Sequence, residues 1–432
     1  MILTALTLSL AAWLTPPPAT STWTRFRGPN GSGRIEGPAP PTEWSSDANL
    51  RWRTALPGSG TSSPIVSGDR VYVTAYTGYG VDPENVGELD DLARHLIALD
   101  RKSGKELWRA TVPGGSEEDP YAGFICQHGY ASSTPVTDGE RIYALFGKAG
   151  LFAFELDGEE IWRTSVGAFS DPAKWGSATS PILVGETIVV DAGVLGHQLV
   201  GVDAATGDIK WSIEDASYTN SWSTPTTVPS ADGELVLFSV PRNVIAVDPA
   251  TGEVAWKVES PMDDSTTASV ITRDQEAYLM GTRAGRGLAI DCEGGEDGEP
   301  DVIWKKSIRS GISTPVIVGN GMFWCSSGIF MGASLDDGEY FFRERVPRYD
   351  GASGGFGSAD YSSPVAVGDL IFQFARNGEG YVLRASEEFE LVAHNPAFEG
   401  DESNFSSSPA LADGDMFIRS ERFLYCIGES VD

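Results

Sequence analysis

Histidine is scarce in this chain, four among 432 residues, so general-base chemistry has few candidates. His95, His128, His197 and His394 are scattered, and no Ser-His-Asp spacing, phosphate-binding loop or zinc motif accompanies them. Cysteine is equally thin. Cys126, Cys292, Cys325 and Cys426 have no C-x-x-C spacing, which leaves zinc, c-type haem and adjacent-cysteine disulfides unsupported. In an oxidising compartment one or two pairs could form, and the sequence does not say which. Lysine and arginine total 31 against 61 aspartates and glutamates, a formal charge of −30. That balance repels nucleic acid and an anionic membrane surface, and reads as a solvated acidic exterior. Acidic pairs such as Glu117-Glu118 and Asp90-Asp91 read the same way, as loop charge and not as a catalytic dyad. Long apolar runs are missing except for Met1 to Leu14, which Pro16, Pro17 and Pro18 follow. The run suits a leader and is too short to span a bilayer, although no Lys or Arg precedes it. Residues 1–21 are therefore expected to be a signal peptide, and the protein to be exported, periplasmic or extracellular. With no cysteine near the run, no lipid anchor is expected, nor membrane insertion once the leader is removed.

What is abundant is glycine, 50 residues, and proline, 26, set between short runs rich in Val, Ile, Tyr and Phe. No stretch holds a helical apolar period, and the pattern is that of many short strands. A Ser/Thr-rich run ending in proline recurs at Pro64, Pro135, Pro181, Pro225, Pro315, Pro364 and Pro409, with Thr267-Ala268-Ser269 keeping the phase where Ser replaces Pro. The eight anchors are spaced 71, 46, 44, 44, 46, 49 and 45 residues apart. A period near 45 falls in the range of propeller blades.

Each repeat has the same internal order. In the third, Ser180–Val184 leads through a Gly185-Glu186 turn to Thr187–Val190, then Gln198–Val202, then Asp203-Ala204-Ala205-Thr206-Gly207 and Asp208–Trp211. The Asp-x-x-Thr-Gly stretch is a hairpin turn, the Asp capping through its side chain and the Gly accepting positive φ. An aromatic recurs on the outer strand as Trp108, Trp162, Trp211, Trp256 and Trp304, with Phe342 substituting in the sixth repeat. At one per repeat and fixed phase, these rings read as wedges between blades and not as a binding stripe. The seventh repeat keeps its strands between Val382 and Val392 but has neither the turn nor the Trp. The last repeat supplies three strands, and a fourth with the expected Trp sits at Leu50-Arg51-Trp52-Arg53-Thr54. The fold predicted is all-β: an eight-bladed propeller of four-stranded antiparallel blades over residues 49–432, closed by the N-terminal strand. Residues 22–48 form an extended segment ahead of it.

At Ala246-Val247-Asp248-Pro249-Ala250-Thr251-Gly252-Glu253-Val254-Ala255-Trp256 the repeat resembles that of the pyrroloquinoline-quinone (PQQ) propeller family, and Val202–Trp211 nearly matches it. The resemblance covers roughly residues 45–430. The opening Trp23-Thr24-Arg25-Phe26-Arg27-Gly28-Pro29-Asn30-Gly31-Ser32-Gly33 is similar to the Phe-Arg-Gly-Pro start of exported PQQ-like propellers of planctomycete-type bacteria. The family includes quinoprotein alcohol dehydrogenases and a lipoprotein of outer-membrane protein assembly. The dehydrogenase branch implies PQQ with calcium, adjacent cysteines beside the quinone, a carboxylate-and-amide calcium site and much longer chains. Here no two cysteines are adjacent and no calcium ligands can be placed residue by residue. The expectation is no cofactor, no metal ligand and no catalytic residue, with a PQQ- and Ca-dependent dehydrogenase of alcohols or sugars as the alternative.

The insertions point to one face of the disc. Turns joining strands one to two and three to four are tight, as at Ser67-Gly68-Asp69 and Gly319-Asn320-Gly321, whereas all long segments, 77–95, 113–130, 167–177 and 346–361, fall on the other face. That face is aromatic, with Tyr349 and Phe356 among its residues. The ligand-binding residues predicted are His128, Tyr130, Trp175, Trp222, Tyr361 and Phe405, for a protein, peptide or glycan. Below them each inner strand starts with small hydroxyls, Ser62-Ser63 and Ser133-Thr134 among them, expected chiefly to satisfy inner-strand backbone and channel water. The oligomeric state is open.

Overall fold

The computed structural model describes residues 22–114, 117–171, 174–262, 265–282, 285–294, 299–347 and 360–429. The expected leader, and Tyr349 and Phe356, lie outside them. Eight sheets make eight blades, seven of them built of strands in sequence order from the channel outward and the eighth taking its outer strand from the N-terminal part of the chain. Blade three shows the pattern: Ile182–Val184, Thr187–Ala192, Gln198–Asp203 and Ile209–Glu214, every pair antiparallel. Blade eight closes as expected. Its outer strand is Leu50–Ala55, antiparallel to Phe423–Ile427 of the C-terminal repeat, with Arg53 opposite Tyr425.

The outer-strand tryptophans wedge between blades and also hydrogen-bond there. Trp52, Trp108, Trp162, Trp211 and Trp304 each donate Nε1–H to a carbonyl in the turn of the next blade, at 2.7–3.2 Å. The glycine of that turn has to be glycine for two reasons. Gly252 sits at φ +77°, and a Cβ there would lie 2.5 Å from Trp211. Phe342 holds the same register place, opposite Gly332 as Trp211 is opposite Gly201, and packs edge-on against Phe389 of blade seven. Blade seven has Ala393 at that place. Trp44, from the N-terminal segment, covers the strand beside it, stacked 5.6 Å from Phe374.

The N-terminal segment does more than lead to the closing strand. Trp23 bridges Val66 of blade one, Thr24 accepts from Thr137 N–H of blade two, and Asn30 accepts from Thr226 of blade four. Arg34–Ile35 then adds a parallel fifth strand to the inner edge of blade seven. Residues 23–35 thus cross the channel from wall to wall and plug its plain-face end. Arg27 anchors the plug. Its five N–H groups meet five carbonyls, those of Gly31, Ser32, Thr314, Pro315 and Pro364, at 2.5–3.2 Å. Burial pushes this guanidinium down to about 9, so it stays charged at neutral pH.

Among the described residues no helix is long and apolar enough to cross a membrane, and the four cysteines are free thiols.

Candidate functional site

Above the plug, the inner strands begin with a closed ring of side-chain hydrogen bonds. The backbone N–H of Ser63 donates to Thr134 Oγ1, that of Thr134 to Ser180 Oγ, and so on through Thr224, Ser269, Thr314 and Ser363 to Ser408, whose own N–H returns to Ser63 Oγ. All eight bonds measure 2.9–3.2 Å. The hydroxyls do satisfy inner-strand backbone as expected, and they do it between neighbouring blades. The ring also corrects the phase of the fifth repeat. Ser269 does not replace the proline; it holds the hydroxyl position before it, and Val270 stands where the other blades have Pro. Counted on the hydroxyls, the spacing from Thr224 to Ser269 to Thr314 is an even 45 and 45.

The ring is the lower wall of a cavity of about 380 Å³ that opens on the loop-rich face. Phe26, carried up by the plug, makes its floor, so the channel is blind. One upper wall is a run of tilted rings in contact: Phe124 lies 4.5 Å from Trp175, and Trp175 4.8 Å from Trp222, ring centre to ring centre. Trp222 is largely buried and donates Nε1–H to Gly176 O at 2.8 Å, fixing the loop that carries Trp175. His128 fixes the same loop from the other side. Its Nε2 lies 2.6 Å from Trp175 O, and its Nδ1 2.6 Å from Ser132 Oγ. A carbonyl only accepts, so Nε2 carries the proton and Nδ1 accepts from the hydroxyl. Desolvation, opposed by the backbone bonds to Trp175 and Gly129, lowers this imidazole below its usual value and keeps it neutral. With both nitrogens engaged, it is a brace between loops.

Tyr361 faces the cavity from blade seven. The guanidinium of Arg376 lies 4.8 Å from its ring centre, within cation–π range. Arg376 also donates to Asn404 Oδ1 and to Gln127 Oε1, tying blade seven to the loop between blades one and two. The Tyr361 hydroxyl is buried and donates to no acceptor among the described residues; burial raises its pKa, against the opposing effect of the neighbouring Arg376 guanidinium.

Of the six residues predicted from sequence, His128, Trp175, Trp222 and Tyr361 come together on the cavity wall. Tyr130 and Phe405 do not. Tyr130 packs edge-on against Tyr76 at 5.4 Å and donates to Asp119 O, in a tyrosine cluster that pins the loop. Phe405 is fully buried among Phe374, Phe398 and Tyr425, because the chain turns its ring outward between blades and gives the cavity Ser406 instead. Sequence reasoning missed Phe26, Arg309 and Asp360 on the wall. For Phe26 the signal is the Phe26-Arg27-Gly28-Pro29 stretch, which carries no strand pattern of its own that would place it in the channel. Nothing local marks Arg309 or Asp360.

The described residues of the wall do not fit the calcium–quinone pair of the dehydrogenase branch. Among the described residues no three His, Cys, Asp or Glu side chains converge on a metal-sized point. Asp360 is the one carboxylate on the described wall and Arg309 the one cation, a poor match for a polycarboxylated quinone and its metal.

Comparison with known proteins agrees with the propeller fold. A family profile described as "Outer membrane protein assembly factor BamB" matches residues 92–344, more than half of the chain. The chain belongs to this family of PQQ-type propellers. Outer membrane protein assembly factor BamB of Burkholderia pseudomallei is 27% identical over 180 residues, 40% of this chain and 36% of that protein. The glycerol dehydrogenase large subunit of Gluconobacter oxydans is 29% identical over 129 residues, 28% of this chain and 14% of the subunit. The matched stretch therefore spans well under half the length of either curated relative. Among solved structures, BamB from Moraxella catarrhalis superposes with TM-score 0.61 at 11% identity, over 89% of this chain and 98% of that one. A quinohemoprotein alcohol dehydrogenase from Pseudomonas putida superposes with TM-score 0.64 at 12% identity, over 95% and 81%. At such identities the likeness is one of fold.

Proposed function

We propose that this propeller is a non-catalytic capture protein, which takes a protein, peptide or glycan ligand at its loop-rich face and holds part of it in the blind cavity. The observation that carries the proposal is the character of the wall. Aromatic rings from loops ahead of blades two, three, four and seven converge over a ring of hydroxyls, and the imidazole there is neutral with both nitrogens used. A wall of this kind binds and orients; among the described residues it offers no activated nucleophile and no free base. The apolar run from Met1 to Leu14 supports export as part of the same reading. The relatives' names divide between an assembly factor and dehydrogenases, so the rival class is tested directly. Purified protein is mixed with PQQ and Ca²⁺, and binding and dye reduction with alcohols and sugars are followed. Neither tight binding nor turnover is expected. Tight binding with substrate-dependent dye reduction would overturn the proposal.

A further inference from the structure

Resting on that reading, we propose that the cavity takes a neutral saccharide unit, gripped between Trp175 and Tyr361. Trp175 precedes the inner strand of blade three and Tyr361 that of blade seven. In a ring of eight blades these two stand opposite, so one half-buried ring enters the cavity from each side. Phe26 adds a third apolar surface from below. A pyranose has weakly apolar faces and a rim of hydroxyls, and the wall between the two rings suits that rim. The eight ring hydroxyls all line the cavity. Each spends a lone pair on a neighbour's N–H, and among the described residues none donates its own proton to a protein acceptor. Ser406 Oγ and Tyr361 Oη are buried beside them and, among the described residues, donate to no acceptor; the one polar group on the Tyr361 hydroxyl is the Arg376 guanidinium, which can only donate. The wall is therefore rich in donors seeking acceptors. Sugar hydroxyls rotate to accept, whereas a peptide backbone brings an N–H for nearly every carbonyl and would leave those N–H groups unanswered.

Charge and size narrow the class further. Arg309 and Asp360 balance on the described wall, and the chain as a whole carries −30, so a uronic or sulfated sugar would be repelled where a neutral one is not. The cavity, about 380 Å³, lies at the small end of the range for ligand pockets and admits a sugar or two, not a folded partner.

The experiment is a titration of intrinsic tryptophan emission with four probes: maltotriose, cellotriose, trigalacturonate and aromatic tripeptides. Saturable binding of at least one neutral trisaccharide is expected, with trigalacturonate weaker by about tenfold or more at low salt. Trp175→Ala and Tyr361→Ala should each weaken the neutral sugar by about tenfold or more, with Trp175→Phe retaining most of the affinity and guarding against loss of the fold. Tyr361→Phe, which keeps the ring and removes the hydroxyl, should cost only a few-fold. No saturable response to either neutral sugar overturns the inference, as does sugar binding that ignores both substitutions. If the tripeptides saturate and the sugars do not, the capture reading stands and the saccharide class falls.

Discussion

At the level of Ser63 all eight blades do the same thing: a backbone N–H reaches the hydroxyl of its neighbour, and the last bond returns to the first. A few residues earlier in each repeat, on the loop-rich side, they diverge. Blades two, three and four are approached through Phe124, Trp175 and Trp222, blade seven through Tyr361, and blade eight turns Phe405 outward and offers Ser406. The difference separates two kinds of demand. Closing a ring requires every repeat to satisfy its neighbour, so one position is filled eight times by a small hydroxyl. Shaping a cavity requires asymmetry, and it is the departures from the repeat that line it. Below the ring a third element, the plug, is not repeated at all, and Arg27 there holds carbonyls of blades six and seven at once.

The largest effect should come from removing what closes the ring. A chain starting at Pro57 loses the outer strand of blade eight, its Trp52 wedge and the plug. It leaves an unpaired sheet edge, and aggregation or a non-cooperative melt is expected. A soluble truncation that melts cooperatively would show that the ring does not depend on its N-terminus. The point version is Arg27→Met, which strips five carbonyls of their donors, three of them buried and two partly buried. Hydrogen bonds to a charged group are worth about 1.5–3 kcal/mol each and stranded acceptors add to the loss, so a fall of about 3 kcal/mol or more in unfolding free energy is expected.

Ring and mouth hydroxyls can then be set side by side. Thr314→Val keeps the shape of the side chain but leaves the Ser269 N–H without its acceptor inside the wall, at a cost of about 1–3 kcal/mol. Ser406→Ala, which breaks no bond among the described residues, should stay within about 0.5 kcal/mol. Denaturant midpoints of the two variants give the answer, and equal losses would erase the distinction between closing and lining positions.

How far each region was legible follows from how its residues find their partners. The Trp wedges were readable because wedge and receiving turn recur together at fixed phase, so that even Phe342 could be placed by position alone. The closing strand was readable because Trp52 marks it as an outer strand out of place. The fifth repeat was misphased by one residue because proline is the conspicuous letter, whereas the physical requirement falls on the hydroxyl before it. The plug was unreadable. Arg27 meets Thr314 across 287 residues, and no local pattern encodes that meeting. Phe405 illustrates the limit at the mouth, since a shift of one residue decides whether a ring enters the channel or the seam between blades.

The smallest expected effect separates the mouth from the ring by pH, because a histidine brace serves the one and no titrating side chain belongs to the other. His128 is held neutral by burial, its pKa below that of an unfolded histidine near 6.5. Between the folded and unfolded values the unfolded chain binds a proton that the folded chain refuses. The brace's contribution is therefore whole above about pH 6.5 and is lost as pH falls toward the folded value, at no more than about 1.4 kcal/mol per pH unit for one proton. His128→Gln preserves a donor toward Trp175 O and an acceptor for Ser132 without the titration. Burial also lowers His95, to about 4, but it contributes equally to both proteins, so the difference between wild type and variant isolates His128. Melts at pH 7.5 and pH 5 should show the wild type losing more stability on acidification than His128→Gln, with tryptophan emission reporting release of the Trp175 loop. An identical loss in both proteins would mean that the imidazole keeps its proton balance on unfolding, and that acid does not reach the loops at the mouth through His128.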